Sequence, residues 1–318
     1  MNKIILDTDL AMGAPGSDID DGFALALAHA DPELALQLVT TVDGNTDVES
    51  ATVLSLELLR RLGVKDVPVV KGAATPLTHP ERRRTPPDEV INSYGQGLSP
   101  ESGYAPAVIA ERILAEPGEI TLVAIGPLTN VAAALAIEPR LAGAVKEIVI
   151  MGGVFLGITG QRGMPGEFNV WCDPEAAAAV LRSGAPQRWV GLDVTLKVRL
   201  TRADARRLSQ APGEFAPFAG AATEAWIDHT QAAEPGDPQA GDSCAMHDPL
   251  AVAAIVHPEL ITWADVRLDV ITGDVPGAGM MITDLRRAAD APASNARIAV
   301  DVDATAFTDY FLRSIEGL

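Results

Sequence analysis

The sequence predicts an α/β protein with a mostly parallel central sheet flanked by helices and with extra edge strands near the C-terminus. Short, continuously apolar runs, which are typical of strands buried on both faces, alternate with longer helical patterns. The chain has 318 residues, 47% of them hydrophobic, which is enough for a large core. No shift in composition and no internal repeat divides it, so we expect a single domain over residues 1–318.

Strand and helix patterns follow one another in pairs along most of the chain. The pairs are KIILDT with DDGFALALAHA, LALQLVTTV with DVESATVLSLELLRRLG, VPVVKG with APAVIAERILAE, ITLVAIG with LTNVAAALAIE, and VKEIVIMGG with DPEAAAAVLRSG, after which comes RWVGLDV. Such alternation predicts βαβ units. The last stretch, from ADVRLDVITG to NARIAVDV, alternates polar and apolar residues, which predicts edge strands, and a closing helix follows it.

Three segments interrupt this alternation. Residues 73–102 are rich in proline and contain RRRT, so we predict a loop, and residues 154–168 are rich in glycine. Residues 232–246 have the composition of a connector. In parallel sheets, ligands bind beyond the carboxyl ends of strands, and the first two segments each follow such an end. We therefore expect both to border a site.

Charge and composition exclude several classes of function. The formal net charge is −19 and the pI is about 4.5, so we expect neither nucleic acid nor a membrane surface as a partner. Cys172 and Cys244 lack the spacing of a metal finger, which indicates reduced thiols. The beginning of the sequence lacks the apolar core of a signal peptide, and no apolar run reaches about 20 residues. These features predict a cytoplasmic protein.

Five carboxylates, Asp7, Asp9, Asp18, Asp20 and Asp21, lie close together at the first strand-to-helix turn. Their mutual repulsion destabilises the fold unless a cation neutralises it. The stretch contains no Cys or His, so oxygen ligands would select a hard cation, Ca²⁺ or Mg²⁺. A solvated acidic helix N-terminus is the alternative interpretation. It accounts for the last three residues but poorly for the first two, which end an apolar strand.

Two familiar loops do not fit this stretch, and one family remains an alternative. An EF-hand loop that began at Asp7 would need Gly where Met12 stands, and GAPGSDIDDG lacks the lysine of a phosphate loop. Asp-x-Asp after the first strand also resembles the Mg²⁺-dependent haloacid-dehalogenase-like phosphatases, in which the first Asp is the nucleophile. None of the lysines shows an obvious match to that pattern. This phosphatase reading stays open as the second interpretation.

A series of motifs along nearly the whole chain resembles the inosine–uridine-type nucleoside hydrolases. The first is DTD…DIDDGFALALA, and the others are TTVDGN, KGAATPL, AIGPLTNVA, IMGGVF, GEFNVWCDPEAA, GLDVT and MHDPLAV, in this order. The resemblance implies a Rossmann-like nucleoside hydrolase fold and a Ca²⁺-dependent ribonucleoside N-ribohydrolase that releases ribose and a free base. It also implies a ribonucleoside as the substrate and a homodimer or homotetramer. A nucleoside-binding protein without turnover is the remaining alternative.

The resemblance implies a role for each acidic motif. Asp9 matches the carboxylate that binds Ca²⁺ and acts as base toward the attacking water, and Asp7 matches a carboxylate behind the metal. Metal ligation is implied for Asp9, Asp21, Asp248 and the backbone carbonyl of Ile125. Contacts with the ribose hydroxyls are implied for Asp20, Asn45, Glu167, Asn169 and Asp248. These roles suit the reaction, because cleavage of the C1′–N bond develops positive charge on the ribose and negative charge on the base.

Two further residues are expected at the base end of the site. His247, in HDP, matches the family's proton donor to the leaving base, and the unperturbed imidazole pKa of about 6.5 suits that task. Trp226 is expected either to stack on the base or to belong to the core. Residues 10–17 and 154–166 form longer loops than the family usually has, and a family ribose contact falls near Thr159 or Gln161. Tyr94 stands about where the family often has a histidine.

Overall fold

The computed structural model describes residues 1–85, 87–157, 164–233, 235–236, 241–286, 288 and 290–318. The strands are β1 Asn2–Thr8, β2 Leu34–Thr41, β3 Val69–Lys71, β4 Ile120–Ala124, β5 Glu147–Met151, β6 Gln187–Val190, β7 Arg199–Thr201, β8 Ser243–Ala245, β9 Ile261–Val270, β10 Met281–Asp284 and β11 Ala296–Val302. The helices are α1 Asp20–Ala30, α2 Val48–Arg61, α3 Asp88–Ser93, α4 Ala105–Ala115, α5 Thr129–Ile137, α6 Leu141–Ala144, α7 Phe168–Cys172, α8 Pro174–Arg182, α9 Leu192–Thr195, α10 Arg202–Ser209, α11 Phe215–Ala233, α12 His247–Val256 and α13 Ala304–Ile315.

The central sheet has nine strands in the order β10-β9-β11-β6-β5-β4-β1-β2-β3. From β3 across to β11 the neighbouring strands are parallel, whereas β9 runs antiparallel to β11 and β10 antiparallel to β9. The predicted parallel sheet with extra strands at its C-terminal edge is therefore confirmed. The chain reverses direction across the sheet between β1 and β4, and such a switch point is where ligands bind in open α/β sheets.

Helices cover both faces of the sheet, which explains the continuously apolar strands. In β1, Ile4 and Leu6 belong to the core beneath α1, α12 and α13, while Ile5 points into the core beneath α4, α5 and α8. All three side chains are fully buried. On the first face, the ring of Phe23 meets that of Phe311 edge to face at 5.4 Å. A strand between two helical layers has no solvent face, so it carries no alternation of polar residues.

Two sequence predictions about loops need correction. Residues 73–102 do not form only a loop, because they include a 3₁₀ turn at Pro80–Arg82 and helix α3. Val90 in α3 is buried in the core, and its packing stabilises this short helix. The proline-rich composition of the segment did not predict it. The predicted connector 232–246 ends in β8, which pairs with β7. Of this segment, residues 234 and 237–240 lie outside the described residues.

Candidate active site

A cavity of about 610 Å³ lies beyond the carboxyl ends of β1 and β4. Its lining includes most of the residues expected from the sequence, namely Asp20, Asn45, Ile125, Glu167, Asn169, Trp226, His247 and Asp248. Asp9 and Asp21 are fully buried and are not part of this lining. The structure thus brings together Trp226 and residues from five separate sequence motifs at the switch point of the sheet.

The carboxylates of Asp20, Asp21 and Asp248 form the acidic end of the cavity. Each offers one oxygen, and these oxygens lie within 4.8 Å of one another. Asp20 and Asp21 begin α1, whereas Asp248 lies in the first turn of α12. The backbone N–H of Asp248 donates to Asp20 Oδ2 at 2.9 Å, which joins two helix N-termini 228 positions apart in the chain. The positive ends of both helix dipoles therefore face the cluster.

Asp9 lies directly after β1, and its carboxylate neighbours that of Asp21. Its Oδ2 accepts a hydrogen bond of 2.6 Å from the backbone N–H of Asn45, whereas its Oδ1 is buried and has no hydrogen-bond partner among the described residues. Two glycines make room for this carboxylate: a Cβ on Gly44 would overlap Oδ2, and a Cβ on Gly126 would lie 2.8 Å from Oδ1. Burial, and then the neighbouring charge of Asp21, raise the pKa of Asp9 well above its ordinary value.

Burial and neighbouring negative charges also raise the pKa of the other carboxylates of the cluster. Burial, followed by the charge of Asp20, raises the pKa of Asp21 to about 7, although Thr8 Oγ1 and Asn45 Nδ2 donate to it. Burial raises the pKa of Asp20 to about 6, and burial and the neighbouring aspartates raise that of Asp248 well above its ordinary value. Buried carboxylates that raise one another's pKa fit a cation, whose charge would reverse this repulsion.

Asp7 lies in β1, two residues before Asp9, and its hydrogen bonds connect the elements that hold the cluster. Its Oδ1 accepts from Thr40 Oγ1 at 2.5 Å and from Asn130 Nδ2 at 2.7 Å. Asn130 also donates to Thr41 O at 2.9 Å and accepts from the N–H of Ala73 at 2.8 Å. This network connects β1, β2 and α5. The sequence singled out Asp7 but not Asn130, although Asn130 belongs to the quoted motif AIGPLTNVA.

Glu167, Asn169 and Ile125 form a second wall of the cavity. Glu167 caps α7 and accepts from the N–H groups of Asn169 and Val170, and it also accepts from Gly153 N at 3.0 Å. Asn169 Nδ2 donates to Ile125 O at 2.9 Å. A carbonyl oxygen has two lone pairs, so Ile125 O keeps one for a further partner. The same bonds that position these side chains therefore orient the predicted carbonyl ligand.

His247 and Trp226 line the same cavity. His247 Nδ1 lies 2.7 Å from Thr195 Oγ1, and the ring lines the cavity. The ordinary imidazole pKa expected from the sequence is wrong here, because burial, and then the positive charge of Arg199, lower the pKa of His247 to about 4. The Trp226 ring is half-buried and stacks on the His229 ring, with centroids 5.4 Å apart.

Comparison with known proteins agrees with this geometry. The family model described as inosine-uridine preferring nucleoside hydrolase matches residues 4–309. The chain belongs to this family. It is 38% identical, over 96% of its length and 95% of the relative's, to the non-specific ribonucleoside hydrolase RihC of Salmonella agona strain SL483. It is also 35% identical, over 82% of its length and 79% of the relative's, to the probable uridine nucleosidase 1 of Oryza sativa subsp. japonica.

Solved structures of other nucleoside hydrolases have the same fold as this nucleoside hydrolase. A plant nucleoside hydrolase, PpNRh1, superposes with a TM-score of 0.87 at 29% identity over 100% of this chain and 99% of the other. A purine-preferring ribonucleoside hydrolase from Gardnerella vaginalis superposes with a TM-score of 0.85 at 29% identity, over 99% and 98% of the two chains. The protein is therefore an enzyme of the nucleoside hydrolase fold.

The sequence did not single out two residues of the site, one that lines the cavity and one that contacts His247 from outside the lining. Arg84, from the RRRT segment, lines the cavity and donates from Nε to Gly44 O at 3.1 Å, so the predicted contact of this segment with the site is confirmed. Thr195, from the motif GLDVT, contacts His247 as described above. Tyr94 does not line the described cavity; its ring packs against Phe218 at 6.0 Å. Residues 158–163, with Thr159 and Gln161, lie outside the described residues.

Proposed function

We propose that this nucleoside hydrolase cleaves the N-glycosidic bond of ribonucleosides by direct attack of water, and that it releases ribose and a free base. The observation that carries the proposal is the group of buried carboxylates, with oxygens of Asp20, Asp21 and Asp248 within 4.8 Å and an unpartnered oxygen on Asp9. The names of the relatives, a ribonucleoside hydrolase and a probable uridine nucleosidase, support the same substrate class.

We infer that Ca²⁺ is the cation, held by carboxylates of Asp9, Asp21 and Asp248 and by the carbonyl of Ile125. Every donor in this set is oxygen, which suits a hard cation, and the several oxygens of a flexible shell favour Ca²⁺ over the smaller Mg²⁺. The buried, unpartnered Oδ1 of Asp9 is consistent with a ligand position. When bound, Ca²⁺ supplies a positioned water of lowered pKa and a template for the 2′- and 3′-hydroxyls.

The side chains of the site then accept the proton of the water and hold the ribose. Asp9 takes the proton of the attacking water as general base, a role that suits a carboxylate that would hold the cation beside that water. Asp20, Asn45, Glu167, Asn169 and Asp248 hold the ribose hydroxyls. Their negative charge and oxygen dipoles stabilise the positive charge that develops on the ribose as the C1′–N bond breaks. Because water displaces the base in a single step, we expect inversion of configuration at C1′.

The part of the cavity that His247 and Trp226 line receives the base. His247 faces the departing base, and the half-buried Trp226 ring offers it a stacking surface. Because burial lowers the pKa of His247 to about 4, the neutral ring assists departure by donating a hydrogen bond. The phosphatase alternative is not favoured, since the family model covers residues 4–309 and no lysine lines the described part of the cavity.

A panel assay tests the proposed function. Inosine, adenosine, guanosine, uridine and cytidine are incubated with the enzyme, with Ca²⁺, with Mg²⁺ or with a chelator, and free ribose is measured. We expect Ca²⁺-dependent release of ribose from at least one nucleoside. Tight nucleoside binding without ribose would favour the non-catalytic binding protein instead. Phosphate release from nucleotides without ribose release would favour the phosphatase.

A further inference from the structure

Thr195 is a buried residue whose hydroxyl contacts His247. It lies at the end of α9, is fully buried, and its Oγ1 is 2.7 Å from His247 Nδ1. The imidazole Nδ1 is therefore occupied, and Nε2 is the ring nitrogen left for a ligand in the cavity. Which of the two nitrogens carries the proton depends on whether the threonine hydroxyl donates or accepts.

Other helical threonines show what the hydroxyl normally does. Thr52, Thr223 and Thr308 each donate to the carbonyl four residues earlier, at 2.6 to 2.8 Å. Thr195 cannot do this in the same way, because the carbonyl of Gly191 already accepts the N–H groups of Val194 and Thr195, both at 3.1 Å. A carbonyl oxygen has two lone pairs, and both are used.

His247 Nδ1 is then the acceptor that remains for the hydroxyl proton of Thr195. Among the described residues, Oγ1 has no other hydrogen-bond partner. A buried hydroxyl that left its proton without an acceptor would be destabilising. Donation from Oγ1–H to Nδ1 satisfies both atoms. It requires the proton of the neutral imidazole to reside on Nε2.

We propose that Thr195 is a positioning residue that fixes the Nε2–H tautomer of His247 and so presents an N–H donor to the departing base. This inference rests on the proposed function. In the reaction, both electrons of the C1′–N bond stay with the base, and the Nε2–H hydrogen bond stabilises the negative charge while its proton remains on the ring. The opposite tautomer would direct a lone pair at the same negative charge and oppose departure.

The kinetic test compares Thr195→Val, which removes the hydroxyl at nearly constant volume, with Thr195→Ser, which keeps it. On the best nucleoside of the panel, we expect kcat of the Val variant to fall by about 10²-fold, the effect of losing one charge-stabilising donor. On p-nitrophenyl β-D-ribofuranoside, whose phenolate leaves without such assistance, we expect a far smaller loss. The Ser variant should recover most of the nucleoside activity, and Thr308→Val, on α13 and outside the cavity lining, serves as the matched control.

The tautomer itself is read directly by long-range ¹H–¹⁵N correlation spectra of enzyme labelled with ¹⁵N-histidine. The chain has only five histidines, and His247→Gln assigns the relevant signals. Protonated Nε2 and unprotonated Nδ1 in the unsubstituted enzyme support the proposal even if Thr195→Val does not fold. A proton on Nδ1, or an equal loss of kcat on both substrates, would overturn it. Failure of the proposed function looks different: no substrate then yields ribose, whatever the tautomer.

Discussion

The acidic end and the base end of the cavity are built in different ways. The acidic end consists of a strand terminus and two helix N-termini, and Asp9, Asp20, Asp21 and Asp248 are all buried there. The base end contains the half-buried Trp226 and His247 and adjoins the loop that begins after β5. The first region joins the end of a strand to two helix N-termini, whereas Trp226 of the second region lies on α11 and keeps part of its ring exposed. This difference predicts that cation binding and activation of water depend on the first end, whereas assistance to the departing base and base preference depend on the second.

Substitution of Asp9 is expected to have the largest effect. Asp9→Asn keeps the size of the side chain and the acceptor for Asn45 N but removes the base, so kcat should fall by about 10³-fold or more. Ribose release under saturating Ca²⁺ measures it. Asp66→Asn, at an exposed carboxylate, is the matched control. An Asp9→Asn enzyme within tenfold of the original would remove Asp9 from the role of base.

Removal of the cation is expected to lower the thermal stability of the protein, through the acidic end of the cavity. A cation at one hundred times its Kd adds about 2.7 kcal/mol to the free energy of unfolding, so the Tm should rise by several degrees with Ca²⁺. Calorimetry with and without chelator measures this shift. Asp21→Asn should abolish most of the shift, whereas Trp226→Phe should retain it. A full shift in Asp21→Asn would show that the cation binds elsewhere.

Substitution of Trp226 should change selectivity rather than the reaction itself. Loss of one stacking ring costs about 1 to 3 kcal/mol for a stacked base, so in Trp226→Ala kcat/KM should fall by tenfold or more for some nucleosides and less for others. Trp226→Phe keeps a ring and should lie between the two. The five nucleosides of the panel provide the comparison. Equal losses for all of them would assign Trp226 to the core.

The smallest expected effect is on the pH dependence of stability without metal. The pKa of Asp21 and of Asp7 is about 7 in the folded protein and that of Asp20 is about 6, against about 3.9 in the unfolded chain. Between pH 4 and 7 the folded state therefore binds more protons, so the free energy of unfolding should rise as the pH falls from 8 to 5. Urea unfolding with chelator tests this. Excess Ca²⁺ should flatten the trend, and an increase in stability with pH would contradict it.

The sequence predicted more of the acidic end than of the base end. The carboxylate cluster was noticed from its position at the first strand-to-helix turn, and Asn45, Glu167 and Asn169 were proposed because they lie in motifs that carry the family resemblance. At the base end, the low pKa of His247 and the contact of Thr195 were not predicted. The burial of the His247 ring depends on all the elements packed around it, and these elements come from distant parts of the sequence. Local sequence patterns therefore do not predict it.

By itself, the sequence determined the alternation of buried strands and helices, because hydrophobic periodicity is local and each element shows its own environment. It also determined that carboxylates gather at the first turn, which made an oxygen-ligand cation site the leading expectation. Only the tertiary structure decided that β1 lies beside β4, that Asp248 joins Asp20 across 228 positions, and that Arg84 lines the cavity. Those features depend on which distant segments meet and on how much water their meeting excludes, and both follow from the packing of the complete fold.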